Sequence, residues 1–349
     1  KALSNQKFSE FVEKYGEEKV GLLTGDISIN GDGEIVVMTT EVLRNMIYAN
    51  SRNLHNLAFV VLDEVHYLGD KFRGAVWEEI LIHLPQEIAV VSLSATVSNV
   101  EEFGEWLRSV RGSIEVIVSE IRPIPLYQHF LIGDRMIDLF SEPGRVNPEI
   151  LAAEREAMRR NKVPRHRREQ WGAQETRLSR AEIMEKLNRE NLLPAITFIF
   201  SRMGCDAAVK QCLTAGLKLT NTEERAEILA TASRYTSNLP EEDLEVLGYR
   251  EWITALERGI AAHHAGLLPS FKNAVEDLFQ RGLVKAVFAT ETLALGINMP
   301  ARTVVLEKLT KWNGEAHVPI TPGEYTQLTG RAGRRGIDIE GNAVVQWSP

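Results

Sequence analysis

Short apolar runs rich in β-branched residues recur along this chain and alternate with stretches of helical periodicity. Continuous runs of this kind are typical of parallel strands that helices cover on both faces, so the pattern predicts a doubly wound α/β fold. The runs form two groups, residues 35–93 and 195–347, and we assign no strand to the segment between them. Two domains are therefore predicted, residues 1–120 and residues 121–349.

The chain has 349 residues, of which 44% are hydrophobic and 25% charged, the balance of an ordinary globular protein. It contains no run of about eighteen apolar residues, and its first residues, KALSNQKFSEF, have the pattern of neither a signal peptide nor a transit peptide. We therefore expect a cytoplasmic protein with no membrane partner, or a nuclear one if the source is eukaryotic.

The formal net charge is −8, yet the residues between Arg155 and Arg180 are locally basic. Binding to nucleic acid depends on a local patch more than on the net charge. This segment belongs to a predicted insertion in the second domain, at about residues 140–185. It is either a nucleic-acid contact or a solvated insertion, since charge runs are commonly solvated.

Two cysteines and two histidines raise the question of a metal site. Cys205 and Cys212 lie seven apart in a helical segment and share a face, which favours two core thiols over a disulfide or a zinc site. His263 and His264 are adjacent on a predicted strand and should point to opposite faces, which argues against a shared metal.

Three helix starts are marked by capping residues, and at the first of them Ser98 with Glu101 resembles a capping box. Ser270 is predicted to cap the helix that ends near Gly282. Thr321, Pro322 and Glu324 supply an N-cap, a proline at the first helical position and a glutamate at the third, the pattern of a capping box.

An acidic pair, Asp63 and Glu64, follows the apolar run FVVL directly, and His66 comes two residues later. Ligands of open parallel sheets bind beyond the carboxyl ends of the strands. There Asp63 can hold Mg²⁺, and Glu64 can orient or deprotonate an attacking water. Acidic pairs are common on surfaces, so the interpretation depends on the preceding strand and the histidine.

The segment QLTGRAGRRG follows the helix predicted at Pro322. Gln327, Arg331 and Arg334 are spaced by four and three, so a continued helix would place them on one face. Guanidinium groups there could stabilise charge on a transferred phosphoryl group. Taken alone, an Arg- and Gly-rich segment would more simply be a flexible loop.

Taken together and in this order, eight segments resemble the motifs of the DExH-box superfamily-2 helicases. They are KALSNQK, TTEVLRNM, LDEVHYLGD, LSAT, FIFSR, HHAGLLP, ATETLALGINMPARTVV and QLTGRAGRRG. The variants ALSNQK, HHAGLLP and ALGINMPA are similar to the superkiller-like RNA helicase branch, which includes exosome-associated and HelY-type proteins. The resemblance implies two tandem RecA-like domains, with ATP and Mg²⁺ as cofactors and RNA as partner.

The resemblance also implies a role for each matching residue. Gly296 and Asn298 would face the nucleotide, and His66 with Ser94, Ala95 and Thr96 would couple hydrolysis to domain movement. The residues placed near nucleic acid are Lys1, Ser4, Asn5, Gln6, Thr39, Thr40, Glu41, Arg44, Ser201, Arg202, Thr290 and Glu291. Hydroxyl, amide, Lys and Arg side chains are the usual phosphate contacts. In a simpler reading, Thr290 and Asn298 only cap a turn.

The family has a P-loop of the GxxxxGK[ST] type, and no GK dipeptide occurs in this sequence. We therefore expect a first domain that lacks its N-terminal P-loop part and a chain that is inactive alone. The parent protein is expected to be an ATP-dependent RNA helicase, with an RNA-degrading complex as a candidate partner. The alternatives are a DNA helicase of the same superfamily and a binding module without catalysis.

Residues 308–320, KLTKWNGEAHVPI, predict a β-hairpin that helps to part a duplex, at the place where superkiller-like helicases have one. Asn313 and Gly314 would form a two-residue type I′ turn. Trp312 would either stack on a base or pack on its own domain.

Overall fold

The computed structural model describes residues 2–69, 74–94, 100–119, 121–142, 144–161, 177–293 and 299–348. Contacts divide the chain into two compact units, the first ending at Ile121 and the second beginning at Arg122. Within the described ranges, no helix combines the length and apolar character needed to span a bilayer.

The first unit contains two small sheets. One has the order β2-β1-β3, in which β1 and β3 are parallel, and the other is the parallel pair β4-β5. The strands are β1 (Val20–Leu23), β2 (Ser28–Ile29), β3 (Ile35–Met38), β4 (Phe59–Leu62) and β5 (Ala89–Ser92). The helices are Ala2–Tyr15, Thr40–Tyr48, Gly74–His83 and Val100–Arg111, with 3₁₀ turns at Arg52–Leu54 and Val65–Gly69.

One face of the β4-β5 pair carries the core of the first unit. Val60 and Leu62 are buried there with Trp77, whereas Phe59 and Val61 on the other face are 67% and 62% exposed. The expectation that strands are covered on both faces is therefore wrong for β4, because the apolar cluster of this unit gathers on the Val60 side alone.

The second unit is built on a seven-stranded sheet with the order β11-β12-β10-β13-β16-β6-β7. All neighbours are parallel except β6 and β7, which are antiparallel. The strands are β6 (Leu126–Ile132), β7 (Arg135–Asp138), β10 (Ala195–Phe198), β11 (Ile260–His263), β12 (Ala286–Ala289), β13 (Thr303–Leu306) and β16 (Gly341–Gln346). Every residue of β10 to β13 and of β16 is buried, as expected for strands covered on both faces.

Strands β6 and β7 correct the expectation that no strand lies between the two apolar groups. β6 pairs with β16, which is far away along the chain, and β7 returns beside β6 at the edge of the sheet. The side chains of Tyr127, Gln128 and His129 interrupt the apolar pattern, so β6 is defined by its partner and not by local periodicity.

Helices cover this sheet, and a short hairpin, β8 (Phe140–Glu142) with β9 (Arg145–Val146), precedes the first of them. The helices are Pro148–Asn161, Arg180–Arg189, Arg202–Thr214, Thr222–Thr236, Glu241–Val246, Tyr249–Glu257, Pro269–Gln280 and Pro322–Thr329. Cys205 and Cys212 are fully buried free thiols on helix Arg202–Thr214, which confirms their assignment to the core. Burial raises the pKa of each thiol to about 12.

Of the three predicted helix starts, Ser98 lies outside the described residues and the other two have different outcomes. Thr321 accepts a hydrogen bond from the Glu324 backbone N–H while the Glu324 side chain accepts one from the Thr321 N–H, so the predicted capping box is confirmed. The prediction for Ser270 is wrong. That helix begins at Pro269 with Leu268 as N-cap, because the fixed φ of proline already suits the first helical position.

A β-hairpin of β14 (Thr310–Trp312) and β15 (His317–Pro319) lies where the sequence predicts one. The predicted two-residue turn is wrong, because Trp312 pairs with His317 and leaves a loop of four residues. Gly314 alone has a positive φ, of 104°. The Asn313 side chain accepts hydrogen bonds from the N–H groups of Glu315 and Ala316, which closes the longer loop.

Candidate functional site

The acidic pair lies at the carboxyl end of β4, as the sequence predicts. Asp63 is exposed, and its Oδ1 accepts a hydrogen bond from the Glu64 N–H at 3.0 Å. Glu64 has a φ of 57°, in the left-handed region that non-glycine residues rarely adopt. The chain thus turns sharply after the strand, and the buried Val65 anchors the turn by donating to Leu93 O. The strained turn holds both carboxylates at the strand end.

The other candidate residues of the first unit lie at strand ends or on a helix. Thr39 is the N-cap of helix Thr40–Tyr48, directly after β3, and its side chain makes no capping hydrogen bond. Thr40 and Glu41 follow in the first turn. Arg44 lies one turn further along, and its Nη1 is 3.7 Å from Glu79 Oε2, so Glu79 partly neutralises its charge.

Ser4, Asn5 and Gln6 lie in the first turns of helix Ala2–Tyr15, and Ser94 is exposed just after β5. For His66 the structure describes only the backbone, in the 3₁₀ turn Val65–Gly69. Five candidates lie outside the described residues: Lys1, Ala95, Thr96, Gly296 and Asn298.

In the second unit, Ser201 is the N-cap of helix Arg202–Thr214 and accepts a hydrogen bond from the Gly204 N–H. Arg202, the first residue of this helix, is exposed. Nearby, the Gly266 N–H donates to Nδ1 of the buried His264, so Nε2 carries the proton and donates to Asp206 at 3.0 Å. This pair fixes the loop that follows β11.

His263 is the last residue of β11 and His264 lies just after the strand, and the two bind different partners. His263 Nε2 lies 2.8 Å from Glu276, on the helix that follows, whereas His264 contacts Asp206. Among the residues that the structure describes, no group of three His, Cys, Asp or Glu side chains is arranged to hold a metal ion.

Thr290 and Glu291 follow β12, where that strand ends in a 3₁₀ turn. Thr290 is nearly buried, and its hydroxyl lies 2.8 Å from the Thr292 hydroxyl. Glu291 is half-buried and accepts a hydrogen bond at 2.9 Å from Lys311 of the hairpin. The polar strand end is thus fixed partly by local bonds and partly by the hairpin.

The arginines do not share a helix face with Gln327, which corrects the sequence prediction. Helix Pro322–Thr329 contains Gln327 and has Gly330 as its C-cap. Arg331 and Arg334 therefore lie in the loop beyond the helix. Two features stop the helix: the carbonyls of Gly330 and Ala332 accept hydrogen bonds from Arg122, and Gly333 has a φ of 88°.

The loop that carries both arginines is tightly held. Arg331 O accepts a hydrogen bond from the Ala301 N–H, and Ala301 O accepts one from Gly333. Arg334 donates through Nε and Nη2 to both oxygens of Asp338, at 2.8 Å each. The Arg334 backbone N–H also donates to Asp338, whose side chain is 4% exposed. Arg334 is therefore fixed in one orientation by a bidentate pair.

The basic insertion is only partly available for nucleic acid. Residues 162–176 lie outside the described part of the chain. Of the arginines that follow, Arg177 and Arg180 both pair with Glu307, which comes directly after β13. These two ion pairs attach the end of the insertion to the residue that follows β13.

The hairpin is attached through one side chain and exposes another. Lys311 Nζ contacts Glu291 at 2.9 Å and Glu324 at 2.5 Å. Burial alone lowers the pKa of Lys311, but the hydrogen bonds to Glu324 and Glu291 outweigh it and raise the pKa above its ordinary value. Trp312 is 55% exposed and contacts His317 edge to face. It does not pack into the core of its own unit.

Sequence reasoning missed Asp338, Arg122 and Lys311, all of which orient candidate site residues. Asp338 could have been found, because an aspartate four residues after an arginine is a familiar ion-pair spacing. Arg122 and Lys311 are distant in sequence from the groups they hold, so no local signal marks them.

Two families of known proteins match the chain. The family described as DEAD/DEAH box helicase matches residues 1–103, and the one described as helicase conserved C-terminal domain matches residues 208–336. The two matches are consecutive, so the chain contains two tandem helicase domains, with the α/β folds and parallel strands expected of RecA-like domains.

Similar proteins align over nearly the whole chain. The probable helicase HelY of Mycobacterium leprae is 58% identical over 100% of the chain. The DExH-box ATP-dependent RNA helicase DExH15, chloroplastic, of Arabidopsis thaliana is 42% identical over 99%. Superkiller complex protein 2 of Homo sapiens is 40% identical over 99%. The chain spans 40%, 32% and 28% of the lengths of these three relatives.

These matches, with the ordered motifs at the strand ends, place the protein in a family. The chain belongs to the superkiller-like branch of the DExH-box superfamily-2 helicases.

Proposed function

We propose that the intact protein couples ATP hydrolysis to movement along RNA and to the unwinding of RNA duplexes, in RNA processing or decay. The observation that carries the proposal is the strained turn after β4, which fixes Asp63 and Glu64 together at a strand end. Strained left-handed residues cluster at active sites and ligand clamps, and phosphoryl transfer uses carboxylates that hold the metal and orient the nucleophile.

Asp63 is the candidate Mg²⁺ ligand. Magnesium prefers carboxylate oxygen and keeps several waters, and Asp63 is exposed at the strand end, where its Oδ1 accepts a hydrogen bond from the Glu64 N–H. These features fit the ion. Mg²⁺ bound there would neutralise charge that develops on the phosphates.

Glu64 is the candidate general base, and the arginine loop supplies positive charge. Glu64 orients the attacking water and accepts its proton. Arg331 and Arg334 stabilise the negative charge of the transferred phosphoryl group. The pair with Asp338 uses Nε and Nη2 of Arg334, so Nη1 remains to contact a phosphate oxygen. Gln327 orients the water or the phosphate from the preceding helix.

We assign the hydroxyl and basic groups at the other strand ends to the RNA backbone. Thr39 and Thr290 follow strands directly, and Ser201 lies three residues after the end of β10 with the exposed Arg202 beside it. Backbone contacts of this kind permit travel along any sequence. RNA is preferred over DNA because one of the relatives is an RNA helicase by name. An RNA-degrading complex is accordingly the proposed partner, and the cytoplasm the proposed location.

The test uses the intact protein with matched RNA and DNA duplexes that carry single-stranded overhangs. We expect RNA-stimulated ATP hydrolysis and unwinding of the RNA duplex. Glu64→Gln should lower kcat by about 10²- to 10⁴-fold while nucleotide and RNA affinity stay within about two-fold, since the change removes a base without altering shape. Glu78→Gln, an exposed glutamate of the same unit, is the matched control and should behave as wild type.

The outcomes separate the alternatives. Unwinding of DNA alone would replace RNA with DNA as the substrate. Nucleic-acid binding without any ATP hydrolysis by the intact protein would make it a binding module. Near-normal turnover by Glu64→Gln would remove Glu64 from the role of base.

A further inference from the structure

One ammonium group links three separate segments of the second unit. Lys311 Nζ contacts Glu291 at 2.9 Å and Glu324 at 2.5 Å, and the Lys311 side chain is 21% exposed. Glu291 belongs to the turn after β12, and Glu324 belongs to the capping box of helix Pro322–Thr329. The lysine itself is the central residue of β14.

The Glu324 carboxylate and the backbone of Glu291 are each held by contacts other than the lysine. Glu324 accepts hydrogen bonds from the Thr321 backbone N–H and hydroxyl, at 2.7 and 3.0 Å. Glu291 lies in a 3₁₀ turn that is closed by a hydrogen bond from the Leu293 N–H to Thr290 O. A partly buried ammonium that contacts two carboxylates holds its position better than an exposed ion pair does.

The strand geometry relates this anchor to the exposed tryptophan. Successive residues of a strand point to opposite faces, so Lys311 and Trp312 face opposite sides of the hairpin. Lys311 points to the two carboxylates, and Trp312 is left 55% exposed on the other side. The bond at Lys311 therefore determines how the hairpin presents Trp312.

We propose that Lys311 is a positioning residue for duplex opening, which anchors the hairpin Thr310–Pro319 to Glu291 and Glu324 and so holds Trp312 toward the nucleic acid. This inference rests on the proposed helicase function. Lys311 contacts neither nucleotide nor nucleic acid in this assignment; its effect passes through the orientation of the hairpin.

The experiment compares Lys311→Met, Lys311→Arg and Lys218→Met in the intact protein. Methionine keeps the length of the side chain and removes its charge, arginine keeps the charge, and Lys218 is an exposed lysine of the same unit, outside the hairpin, that serves as the control. The first readout is the number of base pairs opened per ATP hydrolysed. A protein that is merely less stable loses both activities together and keeps this ratio.

We expect Lys311→Met to lower the ratio at least five-fold, Lys311→Arg to restore most of it, and Lys218→Met to match wild type. The second readout is hydrogen exchange of the hairpin amides, which needs no catalysis. Exchange at residues 310–319 should rise at least ten-fold in Lys311→Met, with no change in the seven-stranded sheet.

Two results would overturn the inference: an unchanged ratio, or hairpin amides that exchange as slowly in Lys311→Met as in wild type. Failure of the proposed function is recognised separately. In that case wild type opens no duplex, while the exchange experiment still reports whether Lys311 anchors the hairpin.

Discussion

Arg334 and Asp338 form a closed pair within a five-residue loop. Two guanidinium nitrogens reach both carboxylate oxygens at 2.8 Å, and the Arg334 backbone N–H donates to the same carboxylate at 2.9 Å. The side chains are 18% and 4% exposed. One aspartate thus fixes the backbone and the side chain of the proposed catalytic arginine.

Replacing Asp338 with asparagine should destabilise the second unit and misplace Arg334. A hydrogen bond to a charged partner contributes about 1.5 to 3 kcal/mol when the group is largely buried. We therefore expect Asp338→Asn to lower the free energy of unfolding by that amount, as measured by urea denaturation, and to lower kcat of the intact protein. Asp243→Asn, an exposed site in the same unit, should change stability by less than about 0.5 kcal/mol.

The same pair gives a pH dependence with a definite sign. Burial raises the pKa of Asp338, but the hydrogen bonds from Arg334 outweigh it and lower the pKa below the ordinary 3.8. Because the pKa of Asp338 is lowered in the folded state, the ionised carboxylate stabilises the fold fully above pH 3.8. This stabilisation is lost as the pH falls through the lowered pKa. The stability difference between wild type and Asp338→Asn should therefore shrink below about pH 4. A stability difference that increases as the pH falls would contradict the ion pair between Arg334 and Asp338.

Gly333 and Gly336 provide a matched pair of substitutions. Both have positive φ, 88° and 78°, so alanine at either is strained by about 1 to 2 kcal/mol. At Gly333 an added Cβ would also lie 2.6 Å from Ile124, whereas at Gly336 nothing lies within 4 Å. Gly333→Ala should lower the melting temperature of the second unit well beyond the shift seen for Gly336→Ala, as measured by calorimetry. Equal shifts would show that Ile124 moves aside.

Trp312 should contribute to the binding of single-stranded RNA. Stacking of a base on an aromatic ring is worth about 1 to 3 kcal/mol, so Trp312→Ala should weaken binding by about 5- to 150-fold in fluorescence anisotropy. Trp312→Phe keeps a ring and should lose much less. Because the side chain is 55% exposed, neither change should alter the melting temperature by more than a degree or two. Equal affinity of Trp312→Ala and wild type would make the hairpin a surface connection.

The two cysteines should be unreactive in the folded protein. Burial raises the pKa of Cys205 and of Cys212 from 9.0 to about 12, so almost no thiolate exists at pH 8.5. Iodoacetamide at that pH should label neither thiol before unfolding and both in urea, as counted by mass spectrometry. Because the pKa of each thiol is raised in the folded state, the buried protonated thiols stabilise the fold fully below pH 9. This stabilisation is lost as the pH rises from 9 toward 12. Rapid labelling of the folded protein would contradict their burial.

Much of the fold and part of the site could be predicted, because their signals are local. The acidic pair follows an apolar run that reads as a strand, and the capping box at Thr321 is complete within four residues. The position of Asp63 and Glu64 at the end of β4 therefore follows from a few neighbouring residues and the general geometry of parallel sheets.

The rest depends on partners that are remote along the chain. β6 is a strand because it pairs with β16, and the helix after Pro322 stops where Arg122 binds the carbonyls at Gly330 and Ala332. The four-residue hairpin loop could not be predicted for a different reason. Asn313 suits both a type I′ turn and a side-chain hydrogen bond to the backbone, and the sequence does not say which one forms.

The position of β16 between β13 and β6 has a consequence for biosynthesis. His129 of β6 and Asn342 of β16 are hydrogen-bonded at 2.9 Å although they are 213 residues apart. A ribosome that makes about 5 to 20 residues per second needs at least ten seconds to travel that distance. During this time the β6-β7 hairpin has no neighbour on one side, so its open edge can pair with another nascent chain. Chaperone protection of residues 126–138 is therefore needed most in that interval, until β16 leaves the ribosome and completes the sheet.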